Sequence, residues 1–150
     1  MAYVMIEKDV PSQHVAAFHV HAGFDRVGEK VAGAFDTLGR ALGEPAGMPF
    51  LLTWAVDTTD GTIDLDVCWP VEREVDVGDG IVPLDVPAAH AVTTVHRGPY
   101  AEVGPAYEAL EAWIAGHGVA HAGPPREIYL NDPRDVGEDR ALTEIVMPVA

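Results

Sequence analysis

Apolar positions along this chain switch between two periods. Residues 3–7 are apolar enough for a strand, Pro11 interrupts, and 14–21 read as a second strand. Over 24–42, Phe24, Val27, Val31, Phe35, Leu38 and Leu42 recur every three or four residues, predicting a helix with one buried stripe. Gly43 and Pro45 stop it. Residues 50–56 and 62–69 return to a strand pattern, with a turn over 57–61 between them. The second of these alternates strictly: Ile63, Leu65, Val67 and Trp69 share one face, and Asp64, Asp66 and Cys68 the other. The plan then recurs. Strands are expected at 81–86 and 90–96, with a turn at Gly98-Pro99. A helix over 100–115 carries Tyr100, Val103, Tyr107, Leu110 and Ile114 on its stripe. Gly116 and Gly118 end it, and strands at 126–130 and 142–149 close the chain.

The recurrence extends to residue identity. Pro11, His14, Val27, Gly28, Gly47, Pro49 and Gly61 reappear as Pro87, His90, Val103, Gly104, Gly123, Pro125 and Gly137, a gapless offset of 76 residues, and Phe24 meets Tyr100 in the same frame. A slightly longer offset aligns 66–71 with 144–149. These matches predict a single α+β domain built from a duplicated strand–strand–helix–strand–strand unit with pseudo-twofold symmetry. The halves run about 1–71 and 81–150, joined by an acidic connector at 72–80. Hairpin-linked strands would form an antiparallel sheet with the two long helices on one side. The other side would be left as a ligand groove between the halves.

Composition narrows the function. The chain has 150 residues, 48% of them apolar, enough for one domain with a real core. It has no apolar run near the roughly 20 residues a membrane helix needs. Its first residues lack a signal-peptide pattern, and its single cysteine, Cys68, cannot form an internal disulfide. A cytoplasmic location and no membrane partner are expected. The net charge of −15 repels phosphate backbones, which argues against direct nucleic-acid binding; by itself it is accounted for by solubility, and a field that favours a cationic ligand is the sharper alternative. His19 with His21, and His117 with His121, lack the further ligands of a metal site, so no metal and no cofactor are expected. There is no Walker-type phosphate loop and no Gly-x-Ser-x-Gly elbow.

Four segments carry a resemblance: Val95-His-Arg-Gly-Pro-Tyr100; Gly104, Tyr107, Leu110 and Trp113-Ile; Gly123-Pro-Pro-Arg-Glu-Ile-Tyr-Leu-Asn-Asp-Pro133; and Leu142-Thr-Glu-Ile-Val-Met-Pro-Val149. Together they resemble the GyrI-like small-molecule-binding domain. This is the effector-binding domain of multidrug-responsive bacterial transcription regulators, within a superfamily that also holds SOUL and haem-binding proteins. The resemblance is dense over 87–149 and rests mainly on layout in the first half. It implies a duplicated fold whose concave surface takes bulky, often cationic aromatic compounds. It also implies an acidic residue in the last strand that meets the positive charge, which here is Glu144. No basic recognition helix is present, so a stand-alone form is expected.

The candidate ligand-binding residues are therefore Glu144, Tyr129, Asp66, Trp54 and Cys68. Glu144 is a carboxylate in an otherwise apolar strand, costly unless paired or solvated. Tyr129, on a neighbouring strand, can line a groove and aim its hydroxyl at a ligand or at Glu144, or else be a core residue. Asp66 is the counterpart of Glu144 in the first half and shares its face with Cys68. Trp54 is the best wall among the three tryptophans; Trp69 and Trp113 read as packing residues. Three functions follow from different classes. The first is binding of an amphipathic, cationic aromatic compound, for sequestration or effector sensing. The second is hydrolysis of a strained electrophilic toxic compound by Tyr129 and Glu144. The third is gyrase-type inhibition of a protein partner, which the spread of charge along the chain makes the weakest.

Overall fold

A computed structural model describes residues 3–150. Eight strands and two long helices appear in the expected order: β1 (Ile6–Val10), β2 (Gln13–Gly23), α1 (Val27–Leu42), β3 (Phe50–Asp57), β4 (Thr62–Pro70), β5 (Ile81–Val86), β6 (Ala89–Arg97), α2 (Gly104–His117), β7 (Arg126–Tyr129) and β8 (Leu142–Pro148). A one-turn helix, α3 (Pro133–Val136), lies between β7 and β8. The chain has an α+β fold, and the strand pairings described below are antiparallel.

The strands sort into two compact units, residues 12–87 and residues 1–11 with 88–150. In the first, the order is β5–β2–β4–β3, with α1 packed on β2 and β4. In the second, it is β1–β6–β8–β7, with α2 packed on β6 and β8. The expected β1–β2 and β5–β6 hairpins do not form. Pro11 and Pro87 interrupt the chain between the strands; a proline has a fixed φ and no N–H to close a two-residue turn. Each strand that precedes one of these prolines instead pairs with the strand that follows the other: β1 with β6, and β5 with β2. His14 lies opposite Asp85 on β2–β5, and His90 lies opposite Asp9 on β1–β6, so the two exchanges are equivalent.

Both helices begin later than their apolar stripes. Residues 24–26 form turns before α1, and Phe24 is half exposed. Tyr100–Glu102 form a separate 3-10 turn before α2. At the other end α2 runs to His117, past Gly116, and closes on Gly118 in the left-handed region. Ala106, Leu110 and Ile114 of α2 pack on Val92, Ile145 and Met147, forming the core of that unit. Trp113 packs at the edge of this core and stacks on His117, with ring centroids 3.8 Å apart. In the other unit Trp69 lies against α1, its ring 3.6 Å from where a Cβ on Gly39 would stand.

Candidate functional site

The alternation of β7 decides where its polar side chains go. Glu127 lies opposite Ile145, Ile128 opposite Glu144, and Tyr129 opposite Thr143. Cross-strand partners project to the same face and consecutive residues to opposite faces. Glu127 and Tyr129 therefore share the face of Ile145, which packs under α2. Glu144 points to the other face. The expected Tyr129–Glu144 pair is not formed, because one residue of strand separates the two faces.

What forms instead is a carboxylate ringed by phenols. Glu127 is only 5% exposed. The Tyr100 hydroxyl donates to its two oxygens, at 2.6 and 2.8 Å, and the Tyr107 phenol, from α2, approaches the same carboxylate and favours its charged form. Tyr129 lies next to Tyr100, with ring centroids 6.3 Å apart. Tyr100 leaves 47% of its surface exposed while turning its hydroxyl inward. Burial pushes the Glu127 carboxyl above its ordinary range, and the two phenols only partly oppose this. The three phenols are raised in turn, first by burial and then by the Glu127 charge. A pocket of about 80 Å³ opens beside Tyr100 and Tyr129, bordered by Asn131, Glu138 and Leu142. Asn131 pins both ends of the 131–140 segment: its amide donates to the Arg140 carbonyl at 3.0 Å, and its oxygen accepts from the Leu142 N–H at 2.9 Å.

The same position in the other unit shows how unusual this is. Counting back 76 residues, Glu127 becomes Leu51, Tyr129 becomes Thr53, Tyr107 becomes Val31 and Tyr100 becomes Phe24. Leu51 lies opposite Val67 and Thr53 opposite Leu65, the register of Glu127 and Tyr129 on β8. Leu51 is 4% exposed. One unit fills this place with aliphatic core; the other buries an acid there and surrounds it with tyrosines.

The remaining candidates lie elsewhere. Glu144 forms a 2.7 Å ion pair with Lys8 of β1. Asp66 accepts from the Trp54 indole N–H at 2.8 Å and lies 3.1 Å from His19 Nδ1. Trp54 sits at a β-bulge between Thr53 and Ala55 and is 48% exposed. His19 bridges to Asp64 through Nε2 at 2.7 Å. Burial alone would lower the His19 pKa, but hydrogen bonds to Asp66 and Asp64 and their charges outweigh it, and the net shift is upward. Cys68 is fully buried, its Sγ 3.8 Å from the Asp66 carbonyl. A shallow acidic cleft of about 350 Å³ lies near His21, Asp57, Asp60 and Asp64. Glu127 is the residue that sequence reasoning missed. The signal was present: in Glu127-Ile-Tyr129, strand alternation alone puts the acid and the phenol on one face.

The family profile of the GyrI-like small molecule binding domain matches residues 4–150. The C-terminal domain of EcmrR superposes with a TM-score of 0.88 at 24% identity, over 100% of this chain and 99% of that one. In an EcmrR–DNA complex the match covers 98% of this chain and 57% of the EcmrR chain, with a TM-score of 0.86 at 24% identity. SAV2435, solved bound to tetraphenylphosphonium, gives 0.68 at 15% identity over 100% and 94% of the two chains. A Listeria innocua protein described as a hydrolase, encoded by lin2189, gives 0.65 at 13% identity over 97% and 91%. At such identities the likeness is one of fold. A comparison with curated proteins gives no match.

Proposed function

This chain belongs to the GyrI-like small-molecule-binding domain family, and we propose that Glu127 is the charge with which this member receives an amphipathic, cationic aromatic compound. Tyr100, Tyr107 and Tyr129 are the walls. The observation that carries this reading is the buried acid at a position where the twin unit has Leu51. Burying an ionised carboxylate costs several kcal/mol unless a counter-charge meets it. Its partners here are phenols. A ligand cation supplies the missing charge, and tyrosine faces add cation–π attraction. Tetraphenylphosphonium, the compound bound by SAV2435, is of this chemical class. The pocket of about 80 Å³ is smaller than the roughly 300 Å³ of a drug-sized site. A bulky ligand therefore seats one aryl group there or displaces the 131–140 segment. Occupancy would sequester the compound or signal its presence, the role of an effector domain.

Calorimetric titration with tetraphenylphosphonium and with neutral triphenylphosphine oxide tests the assignment. Wild type is expected to prefer the cation. Glu127→Gln should weaken cation binding at least about tenfold, roughly 1.4 kcal/mol, while Glu144→Gln should change it little. Unchanged affinity in Glu127→Gln, or the loss falling on Glu144→Gln, refutes the assignment. A second reading rests on the raised Glu127 carboxyl beside Tyr129. Such a group is suited to act as a general base toward a water attacking a strained electrophilic ring. Turnover of such a compound, abolished by Glu127→Gln, would favour hydrolysis over binding alone.

A further inference from the structure

Tyr100 lies outside α2 and outside every strand, at the start of the 3-10 turn that follows the Gly98-Pro99 elbow after β6. Something must hold it against Glu127. Gly98 of the elbow adopts φ +121°, a conformation that side-chain-bearing residues rarely take, and its N–H donates to the Ala141 carbonyl at 2.9 Å. The next residue, Pro99, offers its carbonyl to His96 Nε2 at 3.0 Å. His96 is only 4% exposed, and its Nδ1 lies 2.9 Å from the Tyr3 hydroxyl. A carbonyl can only accept, so Nε2 carries the ring proton and Nδ1 accepts from Tyr3. This orientation uses both ring nitrogens, and the Tyr3 ring packs 6.1 Å from the imidazole.

We propose that His96 is a positioning residue for the ligand site. Its Nε2–H, oriented by Tyr3, clamps the Pro99 carbonyl and so fixes the backbone that presents Tyr100 to Glu127. The chain of contacts runs Tyr3, His96, Pro99, Tyr100, Glu127, and each hydrogen-bonded link in it is 3.0 Å or shorter. Tyr107 reaches the same carboxylate from α2, so it stands outside this chain of contacts. That difference separates positioning from general destabilisation: loss of His96 should release Tyr100 and leave Tyr107 in place. The inference rests on the proposed role of Glu127 only where ligand affinity is the readout.

Two measurements test it on the full chain. The first needs no ligand. A buried phenol proton held by a carboxylate exchanges slowly and gives a downfield proton resonance. The Tyr100 resonance, assigned by its loss in Tyr100→Phe, should disappear or move upfield in His96→Leu and broaden in Tyr3→Phe. That of Tyr107 should persist in both. His96→Gln, whose amide can still donate to Pro99, should restore the Tyr100 signal. An unchanged Tyr100 resonance in folded His96→Leu, or in Tyr3→Phe if His96→Leu does not fold, overturns the proposal. So does equal loss of both tyrosine signals. The second is a double-mutant cycle on the Kd for tetraphenylphosphonium. His96→Leu and Tyr100→Phe should each weaken binding about fivefold, and the double variant should be no weaker than either alone. Multiplying penalties overturn the proposal. Failure of wild type to bind the probe counts against the proposed ligand class, and the resonance experiment still decides the role of His96.

Discussion

Glu127→Gln should make this protein more stable, and increasingly so as the pH rises. Burial raises the Glu127 carboxyl in the folded state above its unfolded value near 4.5. Between those two values the folded state binds more protons than the unfolded one, so stability falls as pH increases through the window. Below the unfolded value the carboxyl is protonated in both states and incurs no charge penalty. Above the folded value the whole cost of a buried, unpaired charge is present, about 2–3 kcal/mol for a hydrogen-bonded group. Glutamine removes the charge and keeps one oxygen for the Tyr100 and Tyr107 hydroxyls. Its NH2 group needs a new acceptor, at a cost of about 1 kcal/mol. The net gain is then about 1–2 kcal/mol, or roughly 2–8 °C in Tm for a chain of this length. Differential scanning calorimetry of both proteins without ligand, at pH 5.5 and pH 8.5, reads this directly. The advantage of Glu127→Gln should be larger at pH 8.5. An advantage that is flat with pH, or a variant less stable at both values, would mean that Glu127 is not a buried charge at a cost to the fold.

Tyr107→Phe removes one of the two phenols that favour the charged form. It should lower stability at pH 8.5 by about 1–2 kcal/mol, with a smaller loss at pH 5.5, measured by urea denaturation. Lys8→Met should cost no more than about 1 kcal/mol, because the Lys8–Glu144 pair is partly open to solvent, with Lys8 41% exposed; a larger loss would indicate a buried role for that pair. The His19 pKa is raised in the folded state, so its clamp on Asp64 and Asp66 stabilises fully below the unfolded value of 6.5. That contribution is lost as pH rises through the folded value. Wild type should therefore exceed His19→Gln in Tm by more at pH 6 than at pH 8.5, and a gap independent of pH would show that the clamp acts without charge.

The order of elements was readable because period and punctuation are local properties. The strict alternation of residues 62–69 and the stripe of Val103, Tyr107, Leu110 and Ile114 each specify a face without reference to the rest of the chain. The closing segments from 95 to 149 were likewise enough to indicate the family that the profile over residues 4–150 shows. Boundaries moved where a local rule met a cap: α1 starts at Val27 rather than 24, and α2 passes Gly116 to stop at Gly118, whose φ of +66° suits a glycine. The strand partners were not local at all. Nothing within residues 3–14 says that β1 belongs with β6, because that pairing runs from Ile6 opposite Thr93 to Val10 opposite Ala89, far apart along the chain.

The candidate site divides along the same line. The available chemistry was legible from the residues alone: a large negative charge, tyrosines near the start of the second helix, and an acid and a phenol two residues apart on β7. The residues also show that two halves share one scaffold, which later exposed Glu127 against Leu51. Which acid is buried was settled by packing between distant segments. Glu127 follows Arg126 in a four-residue strand and Glu144 interrupts a mostly apolar one, and neither pattern says which of the two acids is buried. Packing put Glu127 under α2 with Tyr100 and Tyr107, and left Glu144 on the opposite face within reach of Lys8. The reason is physical. Burial and pairing of a charge depend on what other segments bring within a few ångströms, and a strand's own alternation specifies only that its neighbours face oppositely.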